Sequence, residues 1–475
     1  MQLTPHQQQA FDQLQKFLED SIHQVFVLKG YAGTGKTTLV GLLADWLKKE
    51  RRHTQLLATT GRAAKVLQNR TGHPAITVHS CIFAFDDISG EPEQDQSSTL
   101  QTGGQLQLNF DLRPSDIDPK DMVYIIDEAS MISHEPARES HTARFGSGRL
   151  LHDLFEYADG RKVVFVGDPC QLPPIAENPF SSALNAGFLN KILGVKARET
   201  ELTEIMRQRA HSEILHLASP FRESVRHEQY EQYPKVIQPK EAQASLVPNE
   251  FKLVNDYVSR IRGHQYGEAI MIGFSNWQIN NLNQEIRKQL FPNTQLQPQE
   301  LLLVVQNSYD VELANGDQII LEKAEPAGHK AGLSFLKVQV RALHNDEVYE
   351  TLLIQDLLYN KNPGLTPEET QRLLIDFHYR MREMGIQRKT DLYRQFMRSD
   401  PYLNALRAKF GYAMTCHKAQ GGEWPHVYLN IHKSIYGMPR PNLYRWYYTA
   451  LTRAQQHLHI NDGWWIQGFN ARTPS

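Results

Sequence analysis

Val25-Phe-Val-Leu-Lys-Gly30-Tyr-Ala-Gly33-Thr34-Gly35-Lys36-Thr37-Thr38 runs from an apolar stretch through a glycine-rich turn into a helical pattern. It satisfies G-x-x-x-x-G-K-[ST], the pattern of a phosphate-cradling loop. Gly30, Gly33 and Gly35 let successive N–H groups converge on one anion. Lys36 adds a cation for the β- and γ-phosphates, and the Thr37 hydroxyl is a natural Mg²⁺ ligand. Leu39, Leu42, Leu43, Trp46 and Leu47 follow at helical spacing, so the helix packs on a sheet and aims its N-terminus at the phosphates. A glycine-rich turn alone matches this pattern by chance; one flanked by strand and helix points to a nucleotide.

The surrounding composition sets bounds. A chain of 475 residues exceeds one core and implies two or more domains. Its 40% hydrophobic and 22% charged content is that of a soluble globular protein. Cys81, Cys170 and Cys416 are far apart and form no C-x-x-C pair, which argues against a zinc site or disulfide framework and fits a reducing cytosol. The start, Met1-Gln-Leu-Thr-Pro-His, shows no charged-then-apolar leader, and no run of 18 apolar residues occurs; a cytoplasmic protein without membrane contact is expected. The net charge of −2 does not advertise a nucleic-acid binder, so any such binding must use a local groove.

Upstream of the loop, Thr4 to Glu19 reads as a helix capped by Thr4 with Pro5 in its first turn, and Gln7 is by default a solvated helix residue. Downstream, Thr54 to Thr60 is a strand ending in Thr59-Thr60-Gly-Arg62-Ala-Ala-Lys65, where small residues allow close approach and two cations wait. Met122 to Asp127 is an apolar strand ending in Asp127-Glu128. Asp127 suits a hydrated Mg²⁺, and Glu128 suits orienting and deprotonating a water. A third strand, Lys162 to Gly167, delivers Asp168-Pro-Cys-Gln171 at the edge where an open α/β sheet binds its ligand.

Other stretches shape the architecture. Leu106, Leu108, Phe110 and Leu112 alternate with polar neighbours, which predicts a β-hairpin inserted at about 83–118, with Phe83, Phe85 and Phe110 as aromatics of either core or tip. A second domain is expected from about residue 195, with the polar stretch 220–250 a loop or short elements. Several strands within 300–360, turned at Asn315-Gly316-Asp317, predict a small inserted barrel. Thr366-Pro367-Glu-Glu369 opens a helix whose Leu373, Leu374, Phe377, Met381 and Met384 form one apolar stripe for core or interdomain packing. Cys170 and Cys416 are read as packing residues.

In order, Gly30–Thr38, Thr59–Lys65, Thr77–Ser80, Ile125–Ser130, Val166–Pro174, Leu202–Gln208, Asn315–Asp317, Tyr412–Trp424 and Tyr448–Ala454 form a set that resembles superfamily 1 helicases, specifically the RecD/Dda-like 5′-to-3′ group. The resemblance implies an α/β chain of two RecA-like P-loop NTPase domains, with a β-hairpin insert in the first and an SH3-like β-barrel insert in the second. The implied division is 1–195 (hairpin about 83–118), 196–300 with 408–475, and 301–407 as the insert. It implies ATP and Mg²⁺ as cofactors, with Gly33, Thr34, Gly35, Lys36, Thr37 and Thr38 around the phosphates and Thr37 and Asp127 on the metal. By resemblance Gln7 reads adenine, Glu423 lies near the ribose, Gln171 senses the γ-phosphate, and Arg207 and Arg453 reach it from the second domain. Lys36, Asp127 and Glu128 complete the catalytic set. Thr59, Thr60, Arg62, Lys65, Thr77 and His79, with Phe274, Ser275, Asn276, Thr415 and His417, match the strand-contacting residues. The implied partners are single-stranded DNA and duplex/single-strand junctions, the implied form a monomeric motor, and the implied setting DNA repair or recombination. RNA unwinding, or an ATPase switch that remodels complexes, remains open.

Overall fold

The computed structural model describes residues 3–89, 106–136, 143–174, 182–206, 212–240, 242–293, 295–308, 310–461 and 463–467. Its frame is a pair of parallel sheets. The first has the order Ala75–Thr77, Thr54–Ala58, Val123–Asp127, Lys162–Gly167, Val25–Gly30, Ala197–Leu202. The second runs Ala244–Val247, Ala454–Asn461, Trp424–Leu429, Ala269–Gly273, Ala413–Thr415. Helices cover the faces of both, so central strands such as Val123–Asp127 and Ala269–Gly273 are buried throughout and read as continuous apolar runs.

Two smaller sheets are added. Phe83–Ser89 pairs antiparallel with Gln107–Leu112, and Ala143–Phe145 joins as a third strand that the sequence pattern did not announce. Phe83, Phe85 and Phe110 are buried, with Phe110 stacked 4.4 Å from Phe145. They pack into a core and also border the cavity described below. The other sheet is antiparallel: Val348–Ile354, Leu333–Ala342, Gln318–Lys330, Leu301–Val304, Ala408–Phe410. Its turn at Asn315–Asp317 places Gly316 at φ +96°, a conformation that favours glycine. Leu336, Val338 and Val340 face inward, as their alternation predicts.

The Thr366 capping box and Pro367 open the helix Pro367–Glu383 as expected. Its stripe is interdomain: Leu373, Leu374, Phe377 and Met381 share one buried cluster with Phe83, Phe85 and Phe110, while Met384 is exposed. Gln371 donates to and accepts from the backbone of Leu106 (N–H···Oε1 2.7 Å). Arg394 of helix Asp391–Ser399 donates to Asp86 O at 2.7 Å. The first small sheet is therefore braced by helices that lie in the chain between Val348–Ile354 and Ala408–Phe410 of the second.

Two expectations are corrected. Ala197–Leu202 pairs with the loop strand Val25–Gly30, so the first unit extends past residue 195. Ala408–Phe410 belongs to the antiparallel sheet, so the second parallel sheet resumes only at Ala413. Residues 220–250 hold short elements joined by loops, as expected: the end of helix Glu213–His227, which continues through Pro220, then strands Val236–Ile237 and Ala244–Val247.

Candidate nucleotide site and the groove beside it

Every strand of the first sheet ends its carboxyl side on one edge, and there the phosphate loop lies. Gly33 and Gly35 hold φ +81° and +86°, and Gly35 caps helix Lys36–Lys49. Lys36 Nζ curls back to donate to the carbonyls of Gly30 (2.7 Å) and Tyr31 (3.2 Å). Thr34 Oγ1 donates to Tyr31 O at 2.8 Å, and Thr37 and Thr38 stand half-buried on the first helical turn. Gln7 is not solvated: it is 3% exposed, its Oε1 accepts from Thr4 N–H (3.2 Å), and its Nε2 donates to Thr34 O (3.0 Å). A side chain at position 35 would bring its Cβ to 2.4 Å from Gln7 Nε2, so room as well as backbone angle demands glycine there.

Two strands away, Asp127 and Glu128 close the acid side. Asp127 Oδ1 accepts the N–H of Glu128 (2.9 Å), and Glu128 is held at φ +53°, a strained angle for a side-chain-bearing residue. Burial raises both carboxyls above the ordinary range, and for Glu128 the Asp127 charge adds to it while Arg453 and Lys36 oppose it. A base with raised affinity for a proton, restrained by nearby cations, suits proton removal from water. Asp168 is fully buried, and its Oδ1 accepts from Cys170 N–H at 2.9 Å. Gln171 is buried, and among the described residues no donor reaches its Oε1.

The second sheet's helix Arg440–Leu451 completes this site. Tyr448 donates to Asp168 Oδ2 (2.7 Å) and accepts from the loop's Ala32 N–H (2.9 Å). Thr449 Oγ1 accepts from Leu172 N–H (3.1 Å), Arg445 reaches the carbonyls of Pro169 and Gln171, and Gln420 Nε2 donates to Leu172 O (2.9 Å). Arg453 is buried; its Nε donates to Thr449 O (2.9 Å) and its Nη1 to Gly422 O (3.1 Å). Arg207 lies outside the described residues, but its neighbour Met206 donates its N–H to Gly33 O at 3.1 Å. Glu423 accepts from Arg70 (2.8 Å) and Gln455 (3.1 Å), bridging the two halves. The sequence reading missed Tyr448, Arg445 and Gln420. The first and last stand inside motifs already singled out, and a hydroxyl or amide amid apolar neighbours was their only signal.

The strand-contacting candidates divide into two groups. Thr59, Thr60, Thr77 and His79 line a cavity of about 740 Å³ between the first sheet and the inserted sheet, with Asn307, Asn315, Arg398 and Arg407 opposite. Thr60 and Thr77 also cap short helices, and burial lowers the pKa of His79. Asn276 and Thr415 border a smaller cavity of about 50 Å³ with Lys409 and Lys418. Burial, with the Lys418 charge beside it, takes Lys409 down to about 8. Ser275 caps its helix, and the His417 pKa is lowered by burial. Arg62 and Lys65 are placed otherwise. Arg62 lies 4.2 Å over the Trp424 ring, and Lys65 Nζ pairs with Asp317 at 2.6 Å. Both tie the halves together instead of facing the cavity. Phe274 is turned onto Trp446 (6.5 Å) and packs against the second core.

The residues present fit a nucleoside triphosphate and a divalent cation. The loop's positive-φ glycines, the helix N-terminus behind them, a lysine held by loop carbonyls, and buried carboxylates at nearby strand ends make a cradle with matched charges. Two parallel α/β units sharing such a site define a P-loop NTPase of RecA-like build. Residues 2–236 match the AAA domain family, and residues 410–460 match the UvrD-like helicase C-terminal domain. Over 196 residues the chain is 30% identical to the ATP-dependent RecD2 DNA helicase of Deinococcus radiodurans, covering 41% of this chain and 21% of that one. It is 22% identical to an uncharacterised protein of Methanocaldococcus jannaschii, covering 92% of this chain and 36% of the relative. The chain thus spans about a fifth and a third of the lengths of these curated relatives. A Pif1 helicase from Bacteroides, solved with ADP-AlF3 and single-stranded DNA, shares the fold at TM-score 0.51 and 16% identity, over 98% of this chain and 93% of that one. These matches make the chain similar to the superfamily 1 helicases of the RecD/Pif1 type. Among the described residues no helix is long and apolar enough to cross a membrane.

Proposed function

We propose that this chain is an ATP-driven DNA helicase that moves 5′ to 3′ on single strands and separates duplex at single-strand junctions. The observation that carries the reading is the composite site: Arg453 and Tyr448 of the second unit stand against the loop, Asp168 and Glu128 of the first. Hydrolysis at such a seam is mechanically linked to the two units closing and opening. In our reading Lys36 leaves the Gly30 and Tyr31 carbonyls for the phosphates, and Glu128 takes the proton of the attacking water. Arg453, joined by Arg207, offsets charge developing on the γ-phosphoryl oxygens. Gln171 Oε1 orients that water. Thr37 and Asp127 would hold Mg²⁺, which would neutralise charge on the phosphates. Gln7 reads the base and Glu423 the ribose once each exchanges its present protein partner.

The division we propose is a first RecA-like domain through Leu202, carrying the hairpin of Phe83–Ser89 and Gln107–Leu112, and a second from the following residues to the C-terminal strands. The antiparallel sheet between Leu301 and Phe410 is its SH3-like insert. Single-stranded DNA lies in the groove between Thr59, Thr60, Thr77, His79 and the inserted sheet, continuing to Ser275, Asn276, Thr415 and His417. Threonine, asparagine and histidine groups that track a backbone suit sequence-independent binding. The brace between the hairpin and the helices within the insert favours unwinding, because a switch without strand separation needs no stiffened hairpin.

Duplexes bearing a 5′ or a 3′ single-stranded tail, in DNA and RNA, test the reading. Unwinding from the 5′ DNA tail is expected, with Lys36→Ala inactive. Unwinding confined to 3′ tails overturns the polarity, a preference for RNA tails overturns the substrate, and hydrolysis without strand separation leaves the remodelling switch.

A further inference from the structure

The first half of the phosphate loop is gripped by the second unit. The Tyr31 ring shares a buried cluster with helices Glu213–His227 and Arg440–Leu451 of that unit, with the Arg222 and Arg226 guanidinium groups 5.1 and 5.5 Å from it. Its hydroxyl donates to Glu201, at the end of the strand beside the loop strand. One residue on, Ala32 N–H donates to Tyr448 Oη, and Tyr448 donates onward to the buried Asp168 carboxylate. A single hydroxyl thus joins the loop, the Asp168–Gln171 segment and the helix whose C-terminal turn holds Arg453. That turn is fixed to the helix in its own right: Thr452 Oγ1 donates to Tyr448 O (2.9 Å) and Arg453 Nε to Thr449 O (2.9 Å).

We propose that the Tyr448 hydroxyl is a positioning contact that transmits the conformation of the phosphate loop to the Arg453 turn, so that the arginine meets the γ-phosphate only when the loop is in its nucleotide-bound arrangement. This rests on the ATPase reading above. Ala32 N–H is a loop donor whose orientation changes when the loop reorganises, and Asp168 anchors the other side of the hydroxyl to the rigid carboxyl end of the strand Lys162–Gly167. Phenylalanine at 448 keeps the ring packing, leaves Ala32 N–H and Asp168 Oδ2 without this partner, and removes the connection without removing any group that touches ATP.

The test compares wild type, Tyr448→Phe and Tyr444→Phe in steady-state hydrolysis at saturating oligo(dT). Tyr444 lies on the same helix, but its hydroxyl accepts from Glu231 N–H (2.6 Å), away from the loop. Rates are expressed per site titrated with a fluorescent ADP analogue, so that loss of folded protein does not imitate the effect. For Tyr448→Phe, kcat falls about tenfold, the worth of one hydrogen bond to a charged group in an oriented site, while KM for ATP stays within about twofold. Tyr444→Phe matches wild type. An unchanged kcat in Tyr448→Phe, or a parallel loss in both variants, overturns the inference. An inactive wild type overturns the ATPase reading instead.

Discussion

The Lys65–Asp317 contact makes the sharpest claim about the groove, because it removes a cation that the sequence assigned to nucleic acid. Asp317 is 3% exposed on its side chain, Lys65 is 27% exposed, and their charged atoms lie 2.6 Å apart. Asp317 also accepts from Ala314 N–H at 2.8 Å, and Lys65 donates to Glu312 O at 3.2 Å, so the turn is built around the pair. Two opposite charges about 4 Å apart near a surface attract by about 4 kcal/mol. Exposure of Lys65 and the ordering of its chain reduce the net value to about 1 kcal/mol. That exceeds what one loosely held phosphate offers a lysine in salt, so Lys65 stays with Asp317 when a strand binds. The measurement is fluorescence-anisotropy titration of an oligo(dT) across a salt series, in which each phosphate neutralised contributes about 0.7 to the slope of log K against log salt. Lys65→Ala leaves the slope unchanged. Asp317→Asn, which keeps an acceptor for Ala314 N–H, frees Lys65 and steepens the slope by about 0.7. Adding Lys65→Ala to that variant removes the increment. If Lys65→Ala alone flattens the slope by the full increment, the lysine already sits on a phosphate in the complex and the reasoning is refuted.

Further predictions concern what holds the units in place. Glu300 is fully buried and accepts from Arg287 Nε (2.6 Å), Arg287 Nη2 (2.8 Å) and Gln297 N–H (2.9 Å), linking helix Asn276–Leu290 to the start of the inserted sheet. Glu300→Ala leaves a guanidinium buried without its carboxylate and costs about 3–5 kcal/mol, read as a lower denaturant midpoint; a shift below about 1 kcal/mol removes the pair from this role. His459 stacks 4.3 Å from Tyr428 beside His426 and His457 on one sheet face. Burial, then the charges of His426, His457 and Arg260, bring its pKa down to about 4, with Asp256 opposing. The folded state therefore resists protonation. No stability is lost to this group above its unfolded pKa of about 6.5, and about 1 kcal/mol, discounted for partial exposure, is lost as pH falls from there toward 4. Melting temperatures between pH 7.5 and 5 should fall less steeply in His459→Gln, and parallel curves would contradict the assignment.

What the sequence made legible, and what it hid, follows the range of the interactions concerned. The phosphate loop, the strand before Asp127 and the Thr366 cap were readable because each is decided within a few residues: glycines that must take positive φ, an apolar run buried on both faces, a threonine three residues before a glutamate. The strand Ala197–Leu202 was missed because it is an edge strand. Its Arg198, Glu199 and Glu201 look like a loop until Lys29 and Tyr31 of the neighbouring strand and loop take Glu199 and Glu201 as partners. Helix Glu213–His227 was hidden by Pro220, whose ring removes one donor mid-helix, while Ile214, Leu217, Ala218, Phe221 and Val225 bury a face strong enough to outweigh it. Gln7, Arg62 and Lys65 were each assigned a ligand because a polar side chain in a motif has no visible partner in one dimension. Their partners, Thr34, Trp424 and Asp317, lie far along the chain, two of them in the other half of the molecule. The same distance that conceals such contacts gives them their mechanical meaning. A side chain that spans the seam reports the relative position of the two units, and a residue such as Tyr448, which touches the loop and the arginine helix at once, can only be recognised when both are in place.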